Sequence, residues 1–147
     1  MKNIIIEDMT LSDFSDISNI LTIEFDDFWN SNILETELKN PFSKYFVAKI
    51  DTEIVGFAGA IDTVDQLEIT NIVVKKSFRK QGIGNKLLEV LINMAKESNK
   101  NEIVLEVNNK NLAAIKLYEK NGFKNIGNRK KYYNNEDDAN IMALRIK

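Results

Sequence analysis

Residues 67–87 read LEITNIVVKKSFRKQGIGNKL, and this stretch decides the fold because it joins a predicted β-strand to a predicted α-helix through a basic, glycine-containing loop. On the strand side, the apolar residues change parity between Ile69 and Ile72. A strand whose apolar phase slips by one residue is expected to contain a β-bulge, here near Thr70-Asn71. A strand that is buried on both faces would show the same run without a bulge, and this alternative stays open.

On the helix side, apolar residues at helical spacing predict an amphipathic helix that begins just after Gly82 or Gly84 and ends near Ser98. Glycines at a helix entrance let the backbone approach a ligand, and the free N–H groups of the first turn form an anion site. The loop also carries five positive charges, on Lys75, Lys76, Arg79, Lys80 and Lys86. We therefore expect a localised polyanionic ligand here; the alternative is a solvated basic face beside an ordinary turn.

Two common phosphate motifs do not fit this loop. A P-loop requires G-x-x-x-x-G-K-[ST], which is absent, and the dinucleotide fingerprint fails because Leu87 stands where its third glycine is needed. Neither a nucleoside triphosphate nor a nicotinamide dinucleotide is favoured.

The patterns outward from this stretch predict an α/β (α+β) fold, with a mixed, mostly antiparallel sheet flanked by helices and a β-α-β crossover between residues 67 and 107. The strands are expected at residues 3–7, 44–50, 53–61, 67–74, 102–107, 123–128 and 139–146. The helices are expected after a cap at Thr10 or Ser12, at 32–38, at 83–98 and after a cap at Asn111, with Gly122 as a left-handed residue beyond the last one. Nothing marks an internal boundary, so one domain over residues 1–147 is expected.

The composition excludes several classes of function. The net charge of -2 and a pI near 5.3 provide no overall attraction to nucleic acid or to anionic lipid. The absence of Cys and His removes disulfides, Cys and His catalytic pairs and ordinary zinc or haem sites, so no metal is expected and a general base must be Glu, Asp, Lys or Tyr. The apolar runs are shorter than a membrane span, and Met1-Lys2 leads into a strand-like run, so a cytoplasmic protein is expected.

The loop and several other segments resemble those of the GNAT acetyltransferases. The run Arg79-Lys80-Gln81-Gly82-Ile83-Gly84 is similar to the family's [QR]-x-x-G-x-[GA] signature, which grips the pyrophosphate of acetyl-coenzyme A. Further matching segments are 40–48, 69–74, 105–107, 111–118, Gly122-Phe123, Gly127-x-Arg129-x-x-Tyr132-Tyr133 and 138–142. Together they resemble the RimI branch, the N-terminal acetyltransferases of ribosomal proteins.

The resemblance implies a binding site for acetyl-coenzyme A as co-substrate. The residues carried over to this site are Ile72, Val73, Val74, Arg79, Lys80, Gln81, Gly82, Ile83, Gly84, Asn85 and Asn111. Residues 72–74 would act through their backbone, which after a bulge can pair with the pantetheine arm and can polarise the thioester carbonyl. Asn111 would contact the cofactor and also cap a helix.

Glu106 and Tyr118 are the candidate catalytic residues. Glu106 interrupts an apolar strand, where a carboxylate is a candidate general base, and it matches the family's proton acceptor. Tyr118 matches the family's proton donor to the departing thiolate, and a phenol stays protonated at neutral pH. The alternatives are a surface carboxylate at a strand end and a core tyrosine.

The resemblance also implies the acceptor, a protein or peptide with a free N-terminus, specifically the N-terminal alanine of small-subunit ribosomal protein eighteen. Candidates for shaping the acceptor groove are Phe25, Phe28 and Trp29, which could equally be packing residues, and Tyr132, Tyr133, Asp137 and Asp138. Asn108 stands where the family often has Arg, and Glu68 stands where many members have His, so the exact acceptor stays open.

Three rival functions also stay open. The acceptor could be a lysine side chain or a small-molecule amine, or the chain could be a non-catalytic acyl-coenzyme A-binding module. Nucleic-acid binding by the basic loop is the most distant rival. The sequence does not choose between a monomer and a weak dimer.

Overall fold

The computed structural model describes residues 3–24, 35–36, 38–133 and 137–147. The elements described over their full length are β1 (Ile4–Asp8), α1 (Leu11–Glu24), β2 (Ser43–Ile50), β3 (Glu53–Asp62), β4 (Gln66–Val74), α2 (Ile83–Glu97), β5 (Glu102–Asn108), α3 (Leu112–Lys120), β6 (Lys124–Tyr133) and β7 (Asp137–Arg145). Of the helix predicted at 32–38, only 35, 36 and 38 are described, and these are helical. Among the described residues, no helix is long and apolar enough to span a membrane.

The strands form one sheet in the order β1-β2-β3-β4-β5-β7-β6. Its pairs are antiparallel except for β4 and β5, which are parallel and are connected through α2. The predicted mixed, mostly antiparallel sheet with one β-α-β crossover is therefore confirmed. The predicted end of β6 at residue 128 is wrong, because this strand continues to Tyr133.

The sheet is covered on both faces. On one face, α2 and α3 pack over the larger hydrophobic core, where Leu87, Leu88 and Leu91 of α2 are almost completely buried. Each such side chain contributes roughly 1.5–3 kcal/mol by leaving water. On the other face, Ile17 of α1 packs against Phe57 and other residues of the central strands.

The predicted bulge is present in β4. Gly59 of β3 pairs with Asn71, whereas the next residue, Ala60, pairs with Ile69, so that Thr70 is the extra residue. Ile69 and Ile72 consequently pack against the same core beneath α2 and α3, while Val73 faces the α1 side. The alternative, burial on both faces, also describes β4, because β4 is a central strand. The change in parity of its apolar residues, however, is caused by the bulge.

The bulge marks the point at which β4 and β5 separate. Their parallel register runs from Gln66 opposite Glu102 to Ile69 opposite Leu105. Beyond that point β4 still pairs with β3 as far as Val74, and β5 still pairs with β7 as far as Asn108. The facing edges at 70–74 and 106–108 therefore line an opening in the middle of the sheet.

Candidate active site

The opening between β4 and β5 supplies backbone hydrogen-bonding groups. Within the described part of the chain, the β5-facing edge of 70–74 has no ladder partner, because that edge faces the opening. An exposed strand edge binds extended ligands through their amide groups. Ile72, Val73 and Val74 thus lie where the sequence predicted a backbone surface, and their side chains are buried or half-buried in the cores.

The loop after β4 ends in a helix start suited to an anion. Gly82 has a left-handed backbone with φ of 81°, and α2 begins at the next residue, Ile83, without a side-chain cap. A left-handed residue followed by a helical one creates a concavity of N–H groups, and the helix dipole adds positive potential there. A Cβ at Gly82 would meet nothing within 4 Å, so the glycine is required for its backbone angle rather than for space.

The basic residues of the loop do not all face one ligand. The Lys75 ammonium lies 3.0 Å from a carboxylate oxygen of Glu53 on β3. Arg79 Nε donates to the carbonyl of Val74 over 3.3 Å, which stabilises the turn out of β4. Lys76, Lys80 and Lys86 are exposed. The expected cluster of five positive charges is therefore partly used to hold the loop itself.

Three further residues of the predicted cofactor site have contacts within the protein. The side chain of Ile83 is buried in the core. Asn85 donates to Glu89 over 2.9 Å and accepts from Asn121 over 3.0 Å, an interaction that ties α2 to the end of α3. Asn111 caps α3 by accepting from the N–H of Ala114 over 3.2 Å, as predicted. Ile83 and Asn85 can therefore contact a bound cofactor chiefly through their backbone N–H groups.

Glu106 lies on the face of the sheet opposite α2 and α3. Its neighbours Leu105 and Val107 point into the larger core, so the alternation of β5 places Glu106 on the other side. Its side chain is 23% exposed, and its Oε1 lies 3.0 Å from Nη2 of Arg129. The sequence did not predict this ion pair, although it singled out Arg129 within a matching segment.

Tyr118 lies on the α3 side, in the larger core, and is 7% exposed. Gly122, with φ of 95°, ends α3 in a Schellman motif: Phe123 N–H bonds the Tyr118 carbonyl and Gly122 N–H bonds that of Glu119, each over 3.0 Å. The rings of Tyr118 and Phe123 are 5.6 Å apart, which is the hydrophobic contact typical of the motif. Glu106 and Tyr118 thus lie on opposite faces of the sheet.

Asn71 is a polar group that sequence reasoning missed. It is 8% exposed, and its amide nitrogen and oxygen have no hydrogen-bond partner among the described residues. It pairs with Gly59 of β3. The Tyr45 ring packs directly over Gly59, since a Cβ there would lie 2.3 Å from it, and the Tyr45 hydroxyl lies 3.4 Å from Oγ1 of Thr70, the extra residue of the bulge. A buried amide of this kind next to a bulge is costly, so Asn71 is a candidate functional residue at the end of the β4–β5 pairing.

The two departures from the family pattern lie on the same face as Glu106. Glu68 is exposed and pairs with Val104. Asn108 donates to Asp137 over 3.0 Å, and Lys110 lies 2.7 Å from the other oxygen of that carboxylate. The hydrogen bonds from Lys110 and then from Asn108 lower the pKa of Asp137 below its ordinary value.

Several acceptor-groove predictions lie outside the described structure. These are Phe25, Phe28 and Trp29, together with the side chains of Tyr132 and Tyr133. Asp138 is described, and its carbonyl accepts from the N–H of Asn109 over 2.9 Å.

Comparison with known proteins defines the class. The model of the acetyltransferase (GNAT) family matches residues 14–123, a range that includes the opening, the glycine loop and α3. The chain belongs to the GNAT acetyltransferase family.

Individual relatives define the branch. A provisionally assigned [ribosomal protein bS18]-alanine N-acetyltransferase of Bacillus subtilis is 33% identical over 96% of this chain and 95% of its own length. An N-alpha-acetyltransferase of Sulfurisphaera tokodaii is 30% identical over 96% and 92%. The crystal structure of the ribosomal-protein-S18-alanine N-acetyltransferase from Escherichia coli superposes with a TM-score of 0.89 at 28% identity, covering 99% of this chain and 95% of that one. The GNAT-type fold and the assignment as a RimI-type N-acetyltransferase are confirmed.

Proposed function

We propose that this enzyme transfers the acetyl group of acetyl-coenzyme A to an N-terminal α-amine, with the N-terminal alanine of ribosomal protein bS18 as the acceptor. The observation that carries the proposal is the opening in the sheet, which has beside it a helix start suited to an anion and, on the face opposite α2 and α3, the carboxylate of Glu106. The names of the Bacillus subtilis and Escherichia coli relatives support the acceptor. A ribosomal acceptor implies that the reaction takes place in the cytoplasm.

In this proposal acetyl-coenzyme A lies along the open edge of β4. The N–H groups at the start of α2, with Arg79, Lys80 and Gln81 beside them, would hold the pyrophosphate. The amides of the pantetheine arm would pair with the backbone at 72–74, and Asn111 would approach the cofactor from the start of α3. A backbone N–H of β4 would polarise the thioester carbonyl and stabilise the developing oxyanion.

The reaction then needs a neutral amine on one side and a proton for sulfur on the other. The amine nitrogen attacks the thioester carbon, the C–N bond forms, and the C–S bond breaks with its electron pair leaving on sulfur. Glu106 takes the proton that the nitrogen loses, directly or through a water, and Tyr118 gives its phenolic proton to the thiolate. The products are the acetylated N-terminus and free coenzyme A, and solvent proton exchange restores both side chains.

The choice of an α-amine agrees with a single carboxylate as the base. An α-amino group has a pKa of about 7.7–8.0, so roughly a tenth of it is neutral at pH 7. A lysine side chain with a pKa of about 10.4 is neutral to well under about a thousandth. A single carboxylate is therefore a sufficient base for an N-terminal acceptor.

Mass spectrometry with acetyl-coenzyme A and two peptides tests the proposal. One peptide has a free N-terminal alanine and no lysine, and the other has a blocked N-terminus and one lysine. We expect a mass gain of one acetyl group only on the free-alanine peptide. A gain only on the lysine peptide would assign side-chain acetylation instead. No gain on either, with coenzyme A still bound, would indicate a small amine, a longer acceptor or a non-catalytic binding module.

A further inference from the structure

The ion pair between Glu106 and Arg129 crosses an intervening strand. β7 lies between β5 and β6, with Glu106 opposite Ile141 and Arg129 opposite Ala139. The two residues therefore share a face but are separated by two strand spacings, ~10 Å, and by two residues along the strands, ~7 Å. Only a long side chain can cover this distance, and the guanidinium of Arg129 reaches Glu106 Oε1 at 3.0 Å.

Small residues leave the path of Arg129 open. Ala139, directly opposite Arg129 on β7, is completely buried. Gly127, two residues before Arg129 on β6, has no side chain, and the tip of Ile141 lies 3.6 Å from where its Cβ would be.

The neighbouring carboxylate on this face, that of Asp137, has partners of its own. Asp137 is on the same face of β7, two residues before Ala139, and it is bound by Lys110 at 2.7 Å and by Asn108 at 3.0 Å. Asp137 is thus held by Lys110 and Asn108, while the guanidinium of Arg129 contacts Glu106.

We propose that Arg129 is a positioning residue that holds the Glu106 carboxylate by one oxygen from the β6 side of β5, the side away from the opening, and that disfavours a lysine ammonium more than an α-amine. This inference rests on the proposed function. The guanidinium lies 3.0 Å from Oε1 of Glu106, and in this proposal Oε2 takes the proton of the acceptor amine. It also offsets the charge of Glu106, so that the pair attracts an ammonium group less than a lone carboxylate would.

This charge balance bears on the choice of acceptor. A lysine acceptor enters almost entirely protonated and must bring its charge next to Arg129, whereas an α-amine enters partly neutral. Without Arg129, the carboxylate would no longer be held in one orientation and could bind an ammonium ion. The α-amine reaction should then slow down, and the discrimination against lysine should decrease.

Steady-state kinetics of the full chain with the two peptides test this inference. For Arg129→Gln we expect kcat on the free-alanine peptide to fall about tenfold. The ratio of kcat/KM between the alanine and lysine peptides should also fall, while the KM for acetyl-coenzyme A stays within a factor of two. Arg129→Lys, which keeps the charge, should recover part of the kcat and most of the selectivity. Arg145→Gln, an exposed arginine at the far end of β7, is the matched control and should change none of these values.

The double variant Glu106→Gln with Arg129→Gln separates positioning from a structural role. If Arg129 acts through Glu106, then Arg129→Gln has no further effect once Glu106 is replaced. Additive losses, or an Arg129→Gln enzyme with wild-type kcat and selectivity, overturn the inference while the proposed function stands. A wild-type enzyme that acetylates only the lysine peptide overturns the proposed function and this inference with it.

Discussion

Glu106 and Tyr118 can be tested one atom at a time. Glu106→Gln keeps the shape of the side chain but removes the base, so kcat should fall by about 10²–10⁴-fold. Tyr118→Phe removes the proton donor and keeps the ring contact with Phe123, so it should lower kcat and leave acetyl-coenzyme A affinity unchanged. The measurement is steady-state acetylation of the free-alanine peptide at saturating acetyl-coenzyme A.

Glu102→Gln is the matched control for Glu106. Glu102 lies on the same face of the same strand, but in the section where β5 still pairs with β4, and it accepts from Gln66 over 2.6 Å. This variant should keep wild-type kcat. If Glu106→Gln and Tyr118→Phe stay within a factor of two of wild type, the catalytic roles are wrong.

At the scale of the element, α1 begins with a capping box. The Thr10 hydroxyl accepts from the N–H of Asp13 over 3.1 Å, and the Asp13 carboxylate accepts from the N–H of Thr10 over 2.9 Å. Lys49 of β2 lies 3.0 Å from Asp13 and 2.8 Å from Glu7, so it connects the helix start to β1 and β2. Thr10 is therefore the cap, rather than Ser12.

This network makes the stability of α1 depend on pH. Burial raises the pKa of Asp13, but the hydrogen bonds from Thr10 and Lys49 together outweigh it and hold the pKa below its ordinary 3.8. A lowered pKa means that the folded state favours the carboxylate, so this stabilisation is present above pH ~4 and is lost as the pH falls through the lowered value.

Asp13→Asn should therefore lower the free energy of unfolding by about 1 kcal/mol at pH 7, and the difference from wild type should shrink as the pH falls below about 4. Urea denaturation at a series of pH values measures it. Asp16→Asn, an exposed carboxylate on the same helix, is the control and should cost less than about 0.5 kcal/mol at pH 7. A difference that grows towards low pH would contradict the sign derived above.

At the scale of the whole molecule, the sheet is opened in the middle while both of its halves stay paired. Coenzyme A bound in the opening should stabilise the fold, because it binds the folded state alone. Coenzyme A at about 100 times its Kd should add about 2.7 kcal/mol and raise Tm by about 5–10 °C. Differential scanning fluorimetry measures the shift.

Pantetheine at the same concentration is the matched ligand for this experiment. It can pair with β4 but lacks the pyrophosphate, so it should raise Tm less than coenzyme A does. Equal shifts for the two ligands would show that the start of α2 does not bind the phosphates.

Most of the fold could be predicted from local patterns, and the failures are physical. The phase slip between Ile69 and Ile72 located the bulge, because side chains alternate strictly along a strand. The end of β6 was missed because its pairing with β7 is irregular between Arg129 and Tyr133, which breaks that alternation. β6 is also an edge strand of the sheet, so its sequence is rich in polar residues and shows little alternation of apolar and polar positions.

The sequence by itself determined the order of the elements, the glycine loop at the start of α2, the Asn111 cap and the left-handed Gly122, since each depends on residues close together in the chain. Glu106 and Tyr118 are candidates through the resemblance to the family. Only the tertiary structure decided that Arg129 holds Glu106, that Lys49 binds Asp13, and that Asn71 is buried without a described partner. These contacts depend on which strands become neighbours and where their pairing ends. That arrangement is set by packing across the whole sheet, and no local pattern records it.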